Sequence, residues 1–135
     1  MRSIEGGGMV KIYCDTRGTS SRRALAWFKK YNIEVDQRRI GEIRKEDLIQ
    51  LLSISEEGLS EILKRSGKCS SETKSKIDFF MELPLEEGFR FLSYHPEILQ
   101  APIIFDENKY LIGYNSEEIR KFLPQSYRRV KKQFF

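Results

Sequence analysis

Val10-Lys11-Ile12-Tyr13, the loop Arg17-Gly18-Thr19-Ser20-Ser21-Arg22-Arg23 and the run Ala24-Leu25-Ala26-Trp27-Phe28 together decide the fold. The first run is short, apolar and rich in β-formers, and reads as a strand. Thr19 to Tyr31 reads as a helix, because Ala24, Trp27 and Phe28 recur at i, i+3 and i+4. Asn32 ends that helix, and Ile33-Glu34-Val35 begins a second strand that continues to Ile40. A strand–helix–strand unit of this size implies a parallel pair joined by a right-handed crossover. The loop between strand and helix leaves unpaired N–H groups and the positive end of the helix dipole facing outward. That geometry attracts anions and lowers the pKa of a cysteine placed there. The loop holds no cysteine.

The next stretch is helical. Lys45 to Leu52 places Leu48, Leu51 and Leu52 on one face. Ser55 is positioned to cap a helix running to Arg65. Lys74 to Met81 and Leu85 to Ser93 supply two more helices, separated by Leu83-Pro84, and His95-Pro96 opens a short element. Ile103-Ile104-Phe105 after Pro102 reads as a buried strand. Asp106 to Lys109 forms a turn, and Tyr110-Leu111-Ile112 returns as the antiparallel partner. Asn115 with Glu118 predicts a capping box for a last helix that ends at Pro124. The order is βαβ, a helical insertion, then ββα, an α/β class with no internal repeat or low-complexity segment.

A length of 135 residues, 39% hydrophobic and 33% charged, suits one soluble domain. No apolar run approaches the ~20 residues of a membrane helix, and no secretory signal pattern is present, so the expected location is cytoplasmic. Cys14, Cys69 and His95 lack metal-ligand spacing, and no metal or cofactor is expected. The net charge of +4 is uneven. From Ile119 onward Arg120, Lys121, Arg128, Arg129, Lys131 and Lys132 meet no acid, which leaves the rest slightly negative. A basic tail on such a body fits an acidic partner or a solvated end. Residues 1–8, with Gly6-Gly7-Gly8, read as a disordered N-terminal extension, either a translated ribosome-binding site or an expression scar, ahead of a single domain over 9–135.

His95-Pro96, Leu99, Pro102-Ile103-Ile104, Asp106, Gly113-Tyr114-Asn115, Glu118-Ile119-Arg120 and Phe122-Leu123-Pro124 carry a resemblance, as does the loop around Gly18. Together these resemble the Spx and arsenate reductase (ArsC) family, a branch of the thioredoxin-like fold, and Gly113-Tyr114-Asn115 is closer to Spx, since the reductases tend to have Arg-Pro there. The resemblance covers about residues 9–129. It implies a stress-response transcription regulator that docks on the C-terminal domain of the RNA polymerase α subunit. Such a regulator meets promoter DNA only within the polymerase complex, uses no membrane and is a monomer when free.

The same resemblance places the family's Cys-x-x-Cys at Gly18 and Ser21, and its arginine before the proline at Ala101. Of the anion-binding arginines, Arg65 alone matches, displaced by one residue. Thiolate and charge clamp are then both missing, which disfavours an enzyme. The alternative is an arsenate reductase-like or glutaredoxin-like thiol oxidoreductase using Cys14 or Cys69. Cys14 reads otherwise as a buried strand-end residue. A third option is a degenerate paralogue that occupies polymerase and blocks an active relative.

The resemblance assigns partner contact to Gly58, and Arg17, Arg22 and Arg23 are added as exposed charges of the loop. Inside the predicted helix from Ser55, glycine costs ~0.5–1 kcal/mol, so a close approach or tolerated fraying must explain Gly58. The loop residues also offer an anion site or ordinary capping by Thr19 or Ser20. Lys64, Arg65 and Lys68 form a basic cluster, either DNA-proximal or solvated. Pro102 matches the family's proline, usually cis, and marks the fold. His95 reads as a helix-end residue.

Overall fold

The structure, a computed structural model, describes residues 9–124 except Ser66 and Lys68. The terminal segments 1–8 and 125–135, with the expected extension and most of the basic tail, lie outside the described residues, as does Lys68. Four strands, β1 (Val10–Cys14), β2 (Val35–Arg39), β3 (Ile103–Phe105) and β4 (Tyr110–Ile112), form one sheet in the order β2-β1-β3-β4. β1 and β2 are parallel, in the register Val10 to Val35. β3 runs antiparallel to both β1 and β4. Helix α1 (Thr19–Lys30) makes the crossover, and α2 (Lys45–Ile54), α3 (Ser71–Met81) and α4 (Leu85–Tyr94) form the insertion.

Period-two alternation sends the central strands' side chains to two cores. Ile12, Cys14 and Ile104 pack with Ala24 and Phe28 of α1. Tyr13, Ile103 and Phe105 face the insertion, against Leu48, Leu51, Leu92 and Ile98. β1 and β3 are therefore buried on both faces. The insertion is tied to β1 by a polar cluster. Lys11 Nζ bonds Asp47 Oδ1 at 2.8 Å, and the Tyr13 hydroxyl donates to Asp47 Oδ2 and accepts from Arg44 N at 3.3 Å.

Four elements differ from their sequence reading: α3 begins at Ser71 rather than Lys74, because Ser70 Oγ caps it by accepting from Thr73 N at 3.2 Å, and three others depart as follows. β2 starts at Val35, because Asn32 adopts φ 56° and Ile33 N bonds back to Phe28 O at 2.9 Å, a left-handed helix end that uses two residues. The helix expected from Ser55 to Arg65 is a 3-10 turn, Gly58–Ile62. Gly58 has φ +83°, which ends any α path, and beyond the turn Leu63 bridges Leu99 while Lys64 N bonds Ile98 O at 2.9 Å. Long-range pairing overrides local helix preference there. The last helix is also a 3-10 turn, Glu118–Phe122, although Asn115 Oδ1 does accept from Glu117 N and Glu118 N, both at 2.9 Å.

Candidate functional site

Asp15 builds the loop that follows β1. Its carbonyl accepts from Gly18 N at 2.9 Å and its carboxylate from Arg17 N at 3.1 Å. From below, Ser21 Oγ accepts Asp15 N at 3.0 Å. Ser21 is buried, so its hydroxyl braces the loop rather than facing a ligand. Gly18 is the N-cap of α1, without a side-chain cap. Capping by Thr19 or Ser20 is thereby corrected: both already lie within the helix and are exposed. Arg17, Arg22 and Arg23 are exposed around this uncapped end.

Cys14 closes β1 with 2% of its surface exposed. Burial pushes its thiol up to about 11, against a lowering hydrogen bond with Ser21, and the Asp15 charge adds to the rise. A thiol titrating there is protonated at neutral pH and is a poor nucleophile. Cys69 is half-exposed in the segment leading into α3.

A cleft of about 500 Å³ opens beside the loop, and Gly18, Ala101, Asp15, Glu97, Lys64 and Gln100 are among its lining residues. The positions that the resemblance assigns to the nucleophile and its arginine thus meet in one cleft. Neither cysteine lines it, nor do Arg17, Arg22, Arg23 or Arg65. Among the described lining residues the charged side chains are Asp15, Lys64 and Glu97, the last paired with Lys76 Nζ at 2.7 Å, a set with no arginine to clamp an oxyanion. Pro102 follows Ala101 through a cis peptide bond and is buried, and its carbonyl accepts from Gly113 N at 2.8 Å.

A larger groove of about 780 Å³ lies between the Gly58 turn and β4, lined by Glu56, Ser60, Glu61, Arg65, Tyr110 and Lys121 among others. Gln100 lines both cavities, so they are neighbours, with Lys64 in one and Arg65 in the other. Gly113 also has a local reason: its φ is +82°, and a Cβ there would meet Gln100 Nε2 at 2.7 Å. Gly58 sits beside the groove, and a Cβ built on it meets nothing within 4 Å. The helical setting expected for Gly58 is corrected: it has a positive φ at the head of a 3-10 turn, a backbone that already favours glycine, and a Cβ there would meet no neighbour within 4 Å among the described residues. Among the residues described, no hydrogen bond or ion pair links the Gly58 turn to Arg17, Arg22 or Arg23. His95 ends α4, stacked on Phe91 with centroids 4.4 Å apart and Nδ1 3.2 Å from Glu97 Oε2. Among the described residues no group of three or more His, Cys, Asp or Glu side chains is placed to hold a metal.

Tyr110, Glu61 and Gln100 were not singled out from the sequence. The one signal was Tyr110 opening a short edge strand, and nothing local pairs it with residues about fifty positions earlier.

The ArsC family profile matches residues 13–122. The chain is 33% identical over 122 residues to the global transcriptional regulator Spx of Bacillus subtilis, covering 89% of this chain and 91% of that protein. It is 36% identical, with the same coverage, to the global transcriptional regulator Spx 2 of Bacillus cereus. Among solved structures, an arsenate reductase from Vibrio cholerae superposes with TM-score 0.60 at 18% identity, over 87% of this chain and 98% of that one. An arsenate reductase (ArsC) related protein from Brucella melitensis superposes with TM-score 0.53 at 15% identity, over 87% and 96%. These structural likenesses speak for the thioredoxin-like fold alone.

Proposed function

The chain belongs to the ArsC family as a homologue of the Spx regulators, and from that premise we propose that it is an Spx-like transcriptional regulator without a thiol switch. It docks on the C-terminal domain of the RNA polymerase α subunit, in the cytoplasm and as a monomer when free. Contact is made through a surface including Gly58 and the Arg17, Arg22 and Arg23 side chains. It meets promoter DNA only within the polymerase complex, where Arg65 and Lys68 lie nearest. No cofactor takes part.

The observation that carries this reading is the cleft beside Gly18, where among the described residues neither a thiol nor a guanidinium lines the wall and Asp15 and Glu97 do. Arsenate reduction needs a thiolate to attack the oxyanion and cations to neutralise it. The buried, protonated Cys14 does not replace that thiolate. Gly58, with open space around it, offers a partner a flat approach that any longer side chain would obstruct.

Mixing the purified protein with the isolated α C-terminal domain tests the reading. A complex is expected at micromolar concentrations, and none at about 50 μM overturns it. Gly58→Arg is expected to abolish the complex. Gly58→Asn, whose side chain tolerates a left-handed backbone, controls for strain at this position. Binding unchanged in Gly58→Arg would mean that the surface lies elsewhere. Titration into transcription driven by a redox-active relative then separates an activator from a competitor.

A further inference from the structure

The backbone before Gly58 is held in an unusual way. Three successive amides, those of Glu56, Glu57 and Gly58, each donate to a side chain rather than to a helix or strand ladder. Glu56 N donates to Tyr110 Oη at 3.2 Å, Glu57 N to Glu61 Oε2 at 2.6 Å and Gly58 N to Ser55 Oγ at 3.1 Å. Tyr110 Oη in turn donates to Glu61 Oε1 at 2.6 Å. The phenol therefore closes a ring: it takes an amide from one side of Gly58 and holds the carboxylate that takes the next. Ser55 and Glu61 are local to the turn, and Tyr110 comes from the edge strand β4. The ring is itself anchored, since Lys121 Nζ donates to Tyr110 O at 2.8 Å and lies 5.9 Å from the centroid of its ring.

We propose that Tyr110 is a positioning residue that holds the Gly58 turn in the shape that docks, an inference that rests on the polymerase-binding role proposed above. The turn needs such a hold because its centre is a glycine with no side chain packed around it, the residue that loses most backbone freedom on ordering. Left unheld, it samples many shapes, and a partner must select one at a cost in affinity. Tyr110 removes that cost by fixing the turn against the sheet before any partner arrives. The phenol titrates above the ordinary tyrosine value, first because Glu61 accepts its proton and then because of burial.

Tyr110→Phe removes the hydroxyl and keeps the ring. Residue-resolved amide exchange on the full chain should show Glu56 and Glu57 exchanging at least about tenfold faster, with Ile12 on β1 unchanged. Affinity for the α C-terminal domain should fall about tenfold, with no change in unfolding midpoint large enough to account for it. Glu61→Gln should give a similar loss, and the double variant little more than either single one, because both act through one ring. Unchanged exchange in Tyr110→Phe overturns the hold itself, and faster exchange with unchanged affinity overturns its part in docking. Failure of the unsubstituted protein to bind overturns the proposed function instead. The exchange measurement needs no partner and still decides whether Tyr110 holds the turn.

Discussion

At Gly18 the backbone has φ −83° and ψ 136°, angles open to any residue, and a Cβ there would meet Asp15 atoms no closer than 3.4 Å. Nothing in the backbone demands glycine, whereas Gly58 and Gly113 both have a positive φ. The contrast makes Gly18 informative, because a cysteine fits there and is absent. Gly18→Cys is therefore expected to fold and to carry a reactive thiol, at the uncapped end of α1 and close to Arg17 and Arg22. The helix end and the arginines lower its pKa, while the Asp15 carboxylate, with Oδ2 3.7 Å from the built Cβ, raises it. A net fall below the ordinary cysteine value of about 8.5 is expected. Alkylation rate against pH in a Cys69→Ser background checks this, with the buried Cys14 silent below pH 9 as the internal control. A new thiol that titrates no lower than an ordinary cysteine would show that the helix end no longer supports thiolate chemistry.

At the scale of elements, α1, β1, β3 and β4 follow their local signals, while the Gly58 turn does not. Ala24 and Phe28 are buried as the helical stripe requires, and Trp27 lies half-exposed at its margin. The Gly58 turn takes its shape from Tyr110 and from the Leu63–Leu99 bridge, neither visible in its own sequence. Gly58→Ala is expected to cost ~1 kcal/mol, because alanine resists a positive φ even in open space, and Gly58→Asn about half of that. Denaturant midpoints check the order. Equal stability of Gly58→Ala and the unsubstituted protein would mean that the turn is not left-handed in solution. The final 3-10 turn shows the reverse case. Asn115 Oδ1 takes the amides of Glu117 and Glu118, but the N-cap is Glu117 and the coil is a 3-10 turn, which presents Ile119 and Phe122 to the core and Lys121 to the Tyr110 carbonyl.

For the whole molecule, the joint between sheet and insertion is the buried carboxylate of Asp47, 3% exposed. Burial works to raise its pKa, but hydrogen bonds from Lys11 and Tyr13 outweigh burial and hold it below the ordinary 3.8. A carboxyl depressed in the folded state contributes stability that is full above its unfolded pKa and is lost as pH falls through its folded value. The unsubstituted protein should therefore lose stability below about pH 4, and Asp47→Asn should flatten that part of the profile. At pH 7 Asp47→Asn should cost ~1–3 kcal/mol, the lower figures allowing for a Lys11 that remains a third in water. Urea midpoints between pH 2 and pH 7 measure both effects. A variant with the same acid slope would locate the sensitive group elsewhere.

The sequence by itself determined the strand–helix–strand start, the closing hairpin and the family, because hydrophobic periods, turn residues and short motifs are local properties. It also determined that the loop after β1 carries Gly18 and Ser21 and no cysteine. Tertiary structure alone decided that Ser21 turns inward to brace Asp15, that Gly18 and Ala101 share a cleft, and that Gly58, at a positive φ, starts a 3-10 turn rather than sitting inside a helix. It alone brought Tyr110 to Glu56 and Glu61, across 54 and 49 positions of chain. Such contacts depend on how the insertion folds back over the edge of the sheet, and a hydrogen bond between distant residues leaves no period in the sequence.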